Sequence, residues 1–370
     1  MSNQNNYTIG WICAIEAEYL AAQLCLDKTH PHLECRPSPN DTNTYALGEI
    51  NHHNVVIACL PSGSYGTFYA TNVATNMLRS FPNVRISLLV GVGGGAPTRD
   101  SDIRLGDVVV STPGEGKGGV FQYGFGKKIQ EQDFQETGFL NRPPTVLLTA
   151  MMSLKVDYKR KPGSLEKVIN QIIEKQEEEL REELTRPDAI IDYLYRSDCV
   201  HLANSEENCM GTCRTDVINS LVSRPERKRP QNPVVHYGLV ASGNQLIKDA
   251  LYRDELAEKW KVLCFKMEAA GLMNDFPCLV ICGICNYADS HKNKEWQGYA
   301  AVAAAAYAKD LIYRIEPDRG EAEKKLDKEM SDLVHVSRQM ITGIRQGTAQ
   351  QQLEIQENAV KQNMSDKQKR

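Results

Sequence analysis

Apolar runs typical of buried strands alternate along the chain with segments of helical periodicity. The runs predicted to form strands are residues 7–15, 55–60, 86–92, 107–111, 234–241, 262–265 and 279–284. The segments predicted to form helices are residues 16–26, 69–79, 164–184, 245–260 and 299–315. Strands that alternate with helices indicate an α/β fold in which helices cover a central sheet.

The same pattern divides the chain into zones. The α/β alternation spans residues 7–113 and resumes at 234, whereas 114–233 is irregular and highly charged. We interpret 7–315 as one domain that carries an insertion at about 114–233. Residues 316–370 are polar, but apolar side chains from Leu326 to Ile344 recur at 4-3-4-3-4 spacing, which predicts a helix able to dock or to dimerise. This C-terminal extension is expected to be helical and partly disordered.

Composition narrows the class of protein. The formal net charge of the 370 residues is -4, so no global basic character points to a nucleic-acid partner. The longest apolar run, 300–306, is too short for a membrane span. The eleven cysteines are scattered, several of them within apolar runs, which favours free thiols in a reducing compartment. The cytoplasm is the expected location, and the nucleus is also compatible.

Two segments near the N-terminus combine a strand with groups that could face a ligand. Glu18 follows the first strand and lies in the first turn of a helix, where a carboxylate could cap the helix or face a crevice. The loop Ser62-Gly63-Ser64-Tyr65-Gly66 follows the strand at 55–60. Its backbone N–H groups and hydroxyls could hold an anion or a ribose, or the loop could be a plain tight turn.

Three further segments follow buried strands. Residues 90–97 contain four glycines within five positions, among them Gly93 and Gly94, and predict either close approach of a ligand or tight packing. Residues 265–271 place Glu268 at the start of a helix of small residues, suited to binding vicinal hydroxyls. In 281–289 the two-residue period of a strand predicts that Cys282, Ile284 and Asn286 share one face.

Taken in order, these five segments resemble the purine nucleoside phosphorylase and nucleosidase superfamily. The likeness is greatest to the methylthioadenosine nucleosidase branch and its fungal-type relatives. It covers 7–113 and 234–315, and extends to 119–127 and 236–244. It implies a three-layer α/β/α sandwich with a mixed, partly barrel-like central sheet, and a homo-oligomer of two or more chains. It also implies cleavage of the N-glycosidic bond of a purine nucleoside or nucleotide, with an adenine-type base preferred.

The resemblance assigns roles to individual residues. Glu18 matches the carboxylate that activates water, and its presence favours hydrolysis over phosphorolysis. Met267 and Glu268 match the ribose floor, and Leu246 and Ile247 match residues that contact the base. The remaining matches are Ser62, Gly63, Ser64 and Gly66 in the loop beside the ribose and the nucleophile, and Gly93 and Gly94 in the glycine loop.

Three positions depart from the pattern of that superfamily. Asn286 lies where an acid that protonates purine N7 is expected, Cys282 replaces an arginine, and Lys266 replaces an acid beside the ribose floor. Asn286 can donate a hydrogen bond to the base but cannot transfer a proton, and loss of general acid catalysis costs about 10²–10⁴ in rate. Lys266 would favour an anionic ligand if it faced the pocket.

These departures leave two alternatives to a hydrolytic enzyme. One is a catalytically weakened protein that binds a purine nucleotide and has a regulatory role. The other is a phosphate-dependent nucleoside phosphorylase. The insertion also holds Cys199, His201, Cys209 and Cys213, but their spacing is too loose for a zinc site, so neither a metal nor a cofactor is expected.

Overall fold

The computed structural model describes residues 3–33, 38, 40–127, 129–131, 135–188, 192–201, 220–229, 231–292 and 294–316. All of them fall within one compact unit, Met1–Pro317. The helix expected between Leu326 and Ile344 lies outside the described residues. No helix in the described part of the chain combines the length and the apolar character that a membrane crossing requires.

Twelve strands and eight α-helices are defined in these residues. The strands are β1 (Ile9–Cys13), β2 (Lys28–Thr29), β3 (Tyr45–Ile50), β4 (His53–Cys59), β5 (Ile86–Gly95), β6 (Val108–Ser111), β7 (Val120–Gln122), β8 (Gly126–Lys127), β9 (Gln135–Glu136), β10 (Val235–Ser242), β11 (Val262–Phe265) and β12 (Leu279–Asn286). The helices are α1 (Glu16–Leu24), α2 (Thr67–Ser80), α3 (Thr145–Arg160), α4 (Ser164–Ile173), α5 (Glu178–Leu184), α6 (Ala250–Trp260), α7 (Ala269–Leu272) and α8 (Gln297–Ile312).

The main sheet is mixed, and part of it closes into a barrel. Its strand order is β11-β10-β6-β12-β5-β1-β4-β3-β2, and β7 pairs with β10. A further antiparallel pairing of β11 with β5, at Cys264↔Gly95 and Phe265↔Gly94, joins five strands into a ring. Strands β1, β4, β3 and β2 continue the sheet from β5 as an open extension. The predicted fold class, a three-layer α/β/α sandwich around a partly barrel-like sheet, is confirmed.

Two groups of helices cover the sheet. Helices α1, α3, α4 and α5 contact α8, which itself packs on β5 and β12, whereas α2 contacts α7, β1 and β4. The alanine-rich α8 approaches β12 so closely that a Cβ on Gly283 would overlap the carbonyl of Ala300. Buried Trp11, Ile12, Ile57 and Leu88 lie in the large core that these layers enclose.

The elements differ from the sequence prediction in three informative places. The single helix expected over 164–184 is two helices, and the second starts with Glu178 and Glu179 in its first turn, where the helix dipole favours carboxylates. The helix expected from 245 begins at Ala250, because the Asp249 side chain caps it by accepting from two backbone N–H groups. Strand β3 and helix α3 were not predicted at all.

The shared face expected for Cys282, Ile284 and Asn286 is wrong. The register of β12 on β5 shifts between Ile284, opposite Gly93, and Asn286, opposite Gly94. Adjacent residues of a strand face opposite sides, so this bulge turns Asn286 away from the side of Ile284 and Cys282.

Candidate active site

A cavity of about 380 Å³ lies where the carboxyl ends of several strands meet. Its wall includes residues that follow β1, the glycines at the end of β5, and the segments at the ends of β11 and β12. Glu18, Glu268 and Asn286, which are far apart in sequence, all line it. The exposed surface of the wall is mostly apolar, and these three polar groups converge on one space within it.

Glu18 is fully buried beneath this cavity, in the first turn of α1. One carboxylate oxygen, Oε2, accepts the backbone N–H of Ala14 at 2.6 Å. The other, Oε1, accepts the N–H of Val92 at 2.8 Å and the ammonium of Lys266 at 2.6 Å. Gly91 makes room for it, because a Cβ at that position would overlap the carboxyl group. Glu18 thus lines the cavity and is held there by contacts beyond its own helix.

Lys266 lies between two carboxylates. Its Nζ is 2.6 Å from Glu18 Oε1 and 3.5 Å from Glu268 Oε2, and its side chain is 4% exposed. Burial alone would lower the pKa of Lys266, but the two carboxylates raise it above its usual value, so the ammonium stays charged. Its charge is already compensated inside the protein, so an anion at this point would have to compete with Glu18 for the ammonium.

Glu268 is held by the loop that precedes α2. The N–H of Gly66 donates to Glu268 Oε1 at 3.1 Å, and the φ of 91° at Gly66 favours a residue without a Cβ. The loop is further fixed by Asn244, whose Oδ1 accepts from both the N–H and the hydroxyl of Thr67. Of this loop, Tyr65 lines the cavity.

The expected loop residues Ser62, Gly63 and Ser64 are not part of the cavity wall in the described structure. Ser62 and Gly63 are exposed, and Gly63 adopts a φ of 74° in a turn. This part of the segment therefore has the geometry of a tight turn, which the N–H of Ser64 closes by donating to the Pro61 carbonyl. Of this loop Tyr65 lines the cavity, and the Gly66 N–H acts on it only by holding Glu268.

Asn286 has a defined amide orientation. Its Oδ1 accepts the N–H of Ala288 at 2.9 Å, which requires oxygen at that position, and its Nδ2 contacts Cys285 Sγ at 3.1 Å. Burial raises the pKa of the Cys285 thiol to about 11, so this neighbour is a neutral thiol at physiological pH. An amide nitrogen carries two hydrogens, and the second is the group that Asn286 offers to a ligand.

The other predicted contacts also surround the cavity. Met267, Gly93, Gly94, Leu246 and Ile247 all line it; Ile247 is buried and Leu246 is half exposed. Wall residues that the sequence analysis missed include Tyr65, Tyr123, Phe265, Lys292, Lys294 and Gln297. Tyr65 and Phe265 lie within the quoted motifs, so position alone could have found them; the others follow the motifs or come from the insertion.

A polar cluster supports the residue that follows β12. The Tyr287 hydroxyl bonds Asp192 and accepts from Arg224 at 2.8 Å, while Arg253 donates to the Tyr287 carbonyl at 2.9 Å. Asp192 and Arg224 belong to the insertion expected at 114–233. The insertion therefore anchors the residue that follows Asn286.

No group of three or more His, Cys, Asp or Glu side chains arranged for a metal occurs among the described residues. Cys209 and Cys213 lie outside them. Cys199 is free and half-buried.

Comparison with known proteins adds to this geometry. No protein-family model matches the chain. Over 312 residues it is 48% identical to a nucleotide-binding leucine-rich repeat (NLR)-like protein of Hyaloscypha variabilis, an alignment that covers 84% of this chain and 30% of the relative. The chain thus spans less than a third of the length of that curated relative.

Among solved structures, the chain is similar to a putative 5′-methylthioadenosine/S-adenosylhomocysteine nucleosidase from Borrelia burgdorferi bound to adenine. The TM-score is 0.52 at 14% identity, and the match covers 82% of this chain and 99% of that one. The chain has the nucleoside phosphorylase fold. Futalosine hydrolase of Helicobacter pylori is also similar, with a TM-score of 0.49, 15% identity and coverage of 84% and 99%.

Proposed function

We propose that the cavity binds a purine nucleoside or nucleotide and that the chain cleaves its N-glycosidic bond with water. The observation that carries this proposal is the convergence of Glu18, Glu268 and Asn286 on one cavity of about 380 Å³. A volume of roughly 300–1,000 Å³ with an apolar wall and few polar groups is typical of small-molecule sites. The solved nucleosidase with the same fold supports the choice of ligand, since it binds adenine.

The geometry suggests how each group would act. Glu268, held by Gly66, would accept from the ribose hydroxyls above Met267. Asn286 would donate its free N–H to N7 of an adenine-type base, which stabilises the leaving base by a hydrogen bond alone. Glu18 would orient and activate the water that attacks the anomeric carbon as the sugar becomes oxocarbenium-like.

Lysines on the wall extend the ligand class to nucleotides. Lys292 and Lys294 line the cavity. Burial lowers the pKa of Lys292, and the neighbouring charges of Lys248 and Lys266 lower it further, although Cys285 opposes this. A bound phosphate group would relieve that accumulation of positive charge.

Binding without turnover is the second candidate. Two observations favour it: Asn286 has no proton to transfer, and Glu18 is already engaged by three donors. Such a protein would report the presence of a purine nucleotide and leave it intact. The NLR-like relative, of which this chain matches only a part, is consistent with a domain that serves a larger protein.

Chromatography of free base tests the two candidates. The chain is incubated with adenosine, AMP, ATP and methylthioadenosine, with and without phosphate, and binding is measured in parallel by calorimetry. Asn286→Asp is expected to raise base release about 10²–10⁴-fold, because it restores a general acid. Asn83→Asp is the matched control, since the Asn83 side chain bonds the Asn5 carbonyl and is not among the residues that line the cavity, so the rate should stay unchanged.

The outcomes separate the alternatives. Base release that requires phosphate would show a phosphorylase, and binding without release, even by Asn286→Asp, would favour the second candidate. Absence of both binding and release would refute a purine site.

We also propose that the chain forms a homo-oligomer in the cytoplasm. Tyr65 and Phe68 are 63% and 73% exposed at the start of α2, and Tyr65 borders the cavity. Exposed apolar groups of this size suit a protein interface.

A further inference from the structure

The feature that the proposed reaction does not use is the ammonium of Lys266. It is buried, lies at the end of β11 and contacts Glu18 at 2.6 Å and Glu268 at 3.5 Å. These are the two carboxylates that the proposed function assigns to the water and the ribose. A positive charge is thus built into the place where the sugar would become positive.

We propose that Lys266 is an internal counter-ion that makes the site select neutral sugars and slows cleavage of the bound nucleoside. The inference rests on the proposed function, because it concerns the same cavity and the same ligand.

Lys266 changes the net charge around the bound sugar. Glu18 and Glu268 together carry two negative charges that would stabilise an oxocarbenium-like sugar, and catalysis depends on interactions that strengthen in the transition state. Lys266 cancels one of these charges and repels the developing positive charge. Because it is buried among low-dielectric groups, solvent screens this repulsion weakly.

Lys266 also weakens Glu18 as a base. The Oε1 atom accepts from both Val92 and Lys266, and Oε2 accepts from Ala14. A water that Glu18 activates would have to share an oxygen that an ammonium already occupies. Both effects raise the barrier for cleavage while leaving the apolar wall and Asn286 free to bind a purine.

Binding of two nucleoside analogues tests the inference without any variant. One is adenosine, and the other carries a protonated nitrogen in its sugar ring and so imitates the charged transition state. An active nucleosidase is expected to bind such an analogue about 10²–10⁸-fold more tightly than its substrate. We expect the wild-type chain to bind the two with similar affinity.

Lys266→Met removes the charge and keeps the length of the side chain. We expect the variant to bind the cationic analogue about 10–100-fold more tightly than the wild type does, and to release base faster by a similar factor. The reason is that removing a unit charge several ångströms away has an effect of this order at an effective dielectric constant near 20. Lys309→Met is the matched control, because Lys309 makes an ion pair of equal length, 2.6 Å, with Asp27, and it is not among the residues that line the cavity.

The results are distinguishable. If the wild-type chain already prefers the cationic analogue by 100-fold, or if Lys266→Met binds adenosine normally without gaining selectivity or rate, the counter-ion role is wrong and the purine site stands. If neither protein binds adenosine or AMP, the proposed function fails, and the inference falls with it. Lys266→Gln repeats the comparison should the methionine variant not fold.

Discussion

Gly91→Ala provides the sharpest test of the structure around Glu18. Gly91 lies in β5, opposite Cys282 of β12, and its backbone is not in the left-handed region, so alanine is conformationally allowed. The added Cβ, however, would overlap the Glu18 carboxyl group. Because β5 is fixed by strands on both sides, we expect the carboxylate to move, not the strand.

The cost follows from the contacts that Glu18 would lose. Two of them are hydrogen bonds from backbone N–H groups, the buried bond of Ala14 and the partly buried bond of Val92, and the third is the ion pair with Lys266. A hydrogen bond to a charged group contributes about 1.5–3 kcal/mol to the free energy of unfolding, so displacement should cost about 3–6 kcal/mol. That is a large share of the free energy of unfolding of a typical protein, which is roughly 5–15 kcal/mol.

Urea unfolding of four variants measures this. Gly91→Ala is compared with the wild type, with Glu18→Ala and with the double variant. In the Glu18→Ala background the overlapping group is absent, so Gly91→Ala should change the free energy of unfolding by no more than about 1 kcal/mol, the ordinary effect of alanine for glycine in a strand. The coupling between the two sites is therefore expected to reach about 3–6 kcal/mol.

Gly124→Ala is the control, since nothing lies within 4 Å of a Cβ there and its φ is not positive. The reasoning would be refuted if Gly91→Ala were as stable as this control. It would also be refuted if Gly91→Ala cost the same with and without the Glu18 carboxyl group.

Two further predictions concern stability. Asp107 is buried. Burial alone would raise its pKa, but hydrogen bonds from His236 and Arg227 lower the pKa below its ordinary value of 3.8. Its contribution to the free energy of unfolding is therefore present above pH 3.8 and is lost as the pH falls through the lower pKa of the folded state. Asp107→Asn should cost about 3–5 kcal/mol at pH 7 and should flatten the loss of stability below pH 4; an unchanged acid profile in urea titrations would contradict this. Gly283→Ala should lower the melting temperature measured by circular dichroism, because its Cβ would overlap the Ala300 carbonyl, and a wild-type melting temperature would show that α8 can move away.

Much of the fold followed from the sequence, because buried strands leave continuous apolar runs that are easy to find. The strands around Trp11, Leu88 and Val280 were predicted to within a few residues. Strand β3 was missed because its burial is uneven, with half-buried and buried positions that follow no clean two-residue period. Helix α3 did carry a signal, an apolar stripe from Val146 to Leu154 at helical spacing, within a zone interpreted as irregular.

The candidate site was predictable in its members but not in its charges. The resemblance carried by the ordered motifs implied that Glu18, Glu268 and Asn286 belong to one cavity, and all three line it. The contact between Lys266 and Glu18 joins residues 248 positions apart, and no local pattern specifies which carboxylate an ammonium will reach. The bulge that redirects Asn286 was equally hidden, because it depends on the pairing of β12 with β5.

Strand β5 has β1 on one side and β12 on the other, and its glycine-rich end also pairs with β11. Because β5 pairs with three strands, it cannot move away from one of them without breaking strand pairings that close the barrel. Gly93 and Gly94 have no side chains that could fix their position by packing, yet they form part of the cavity wall. Backbone hydrogen bonds to the neighbouring strands consequently maintain the shape of that wall. The wall is therefore rigid, although it has no side chains that would keep a ligand from approaching the backbone closely.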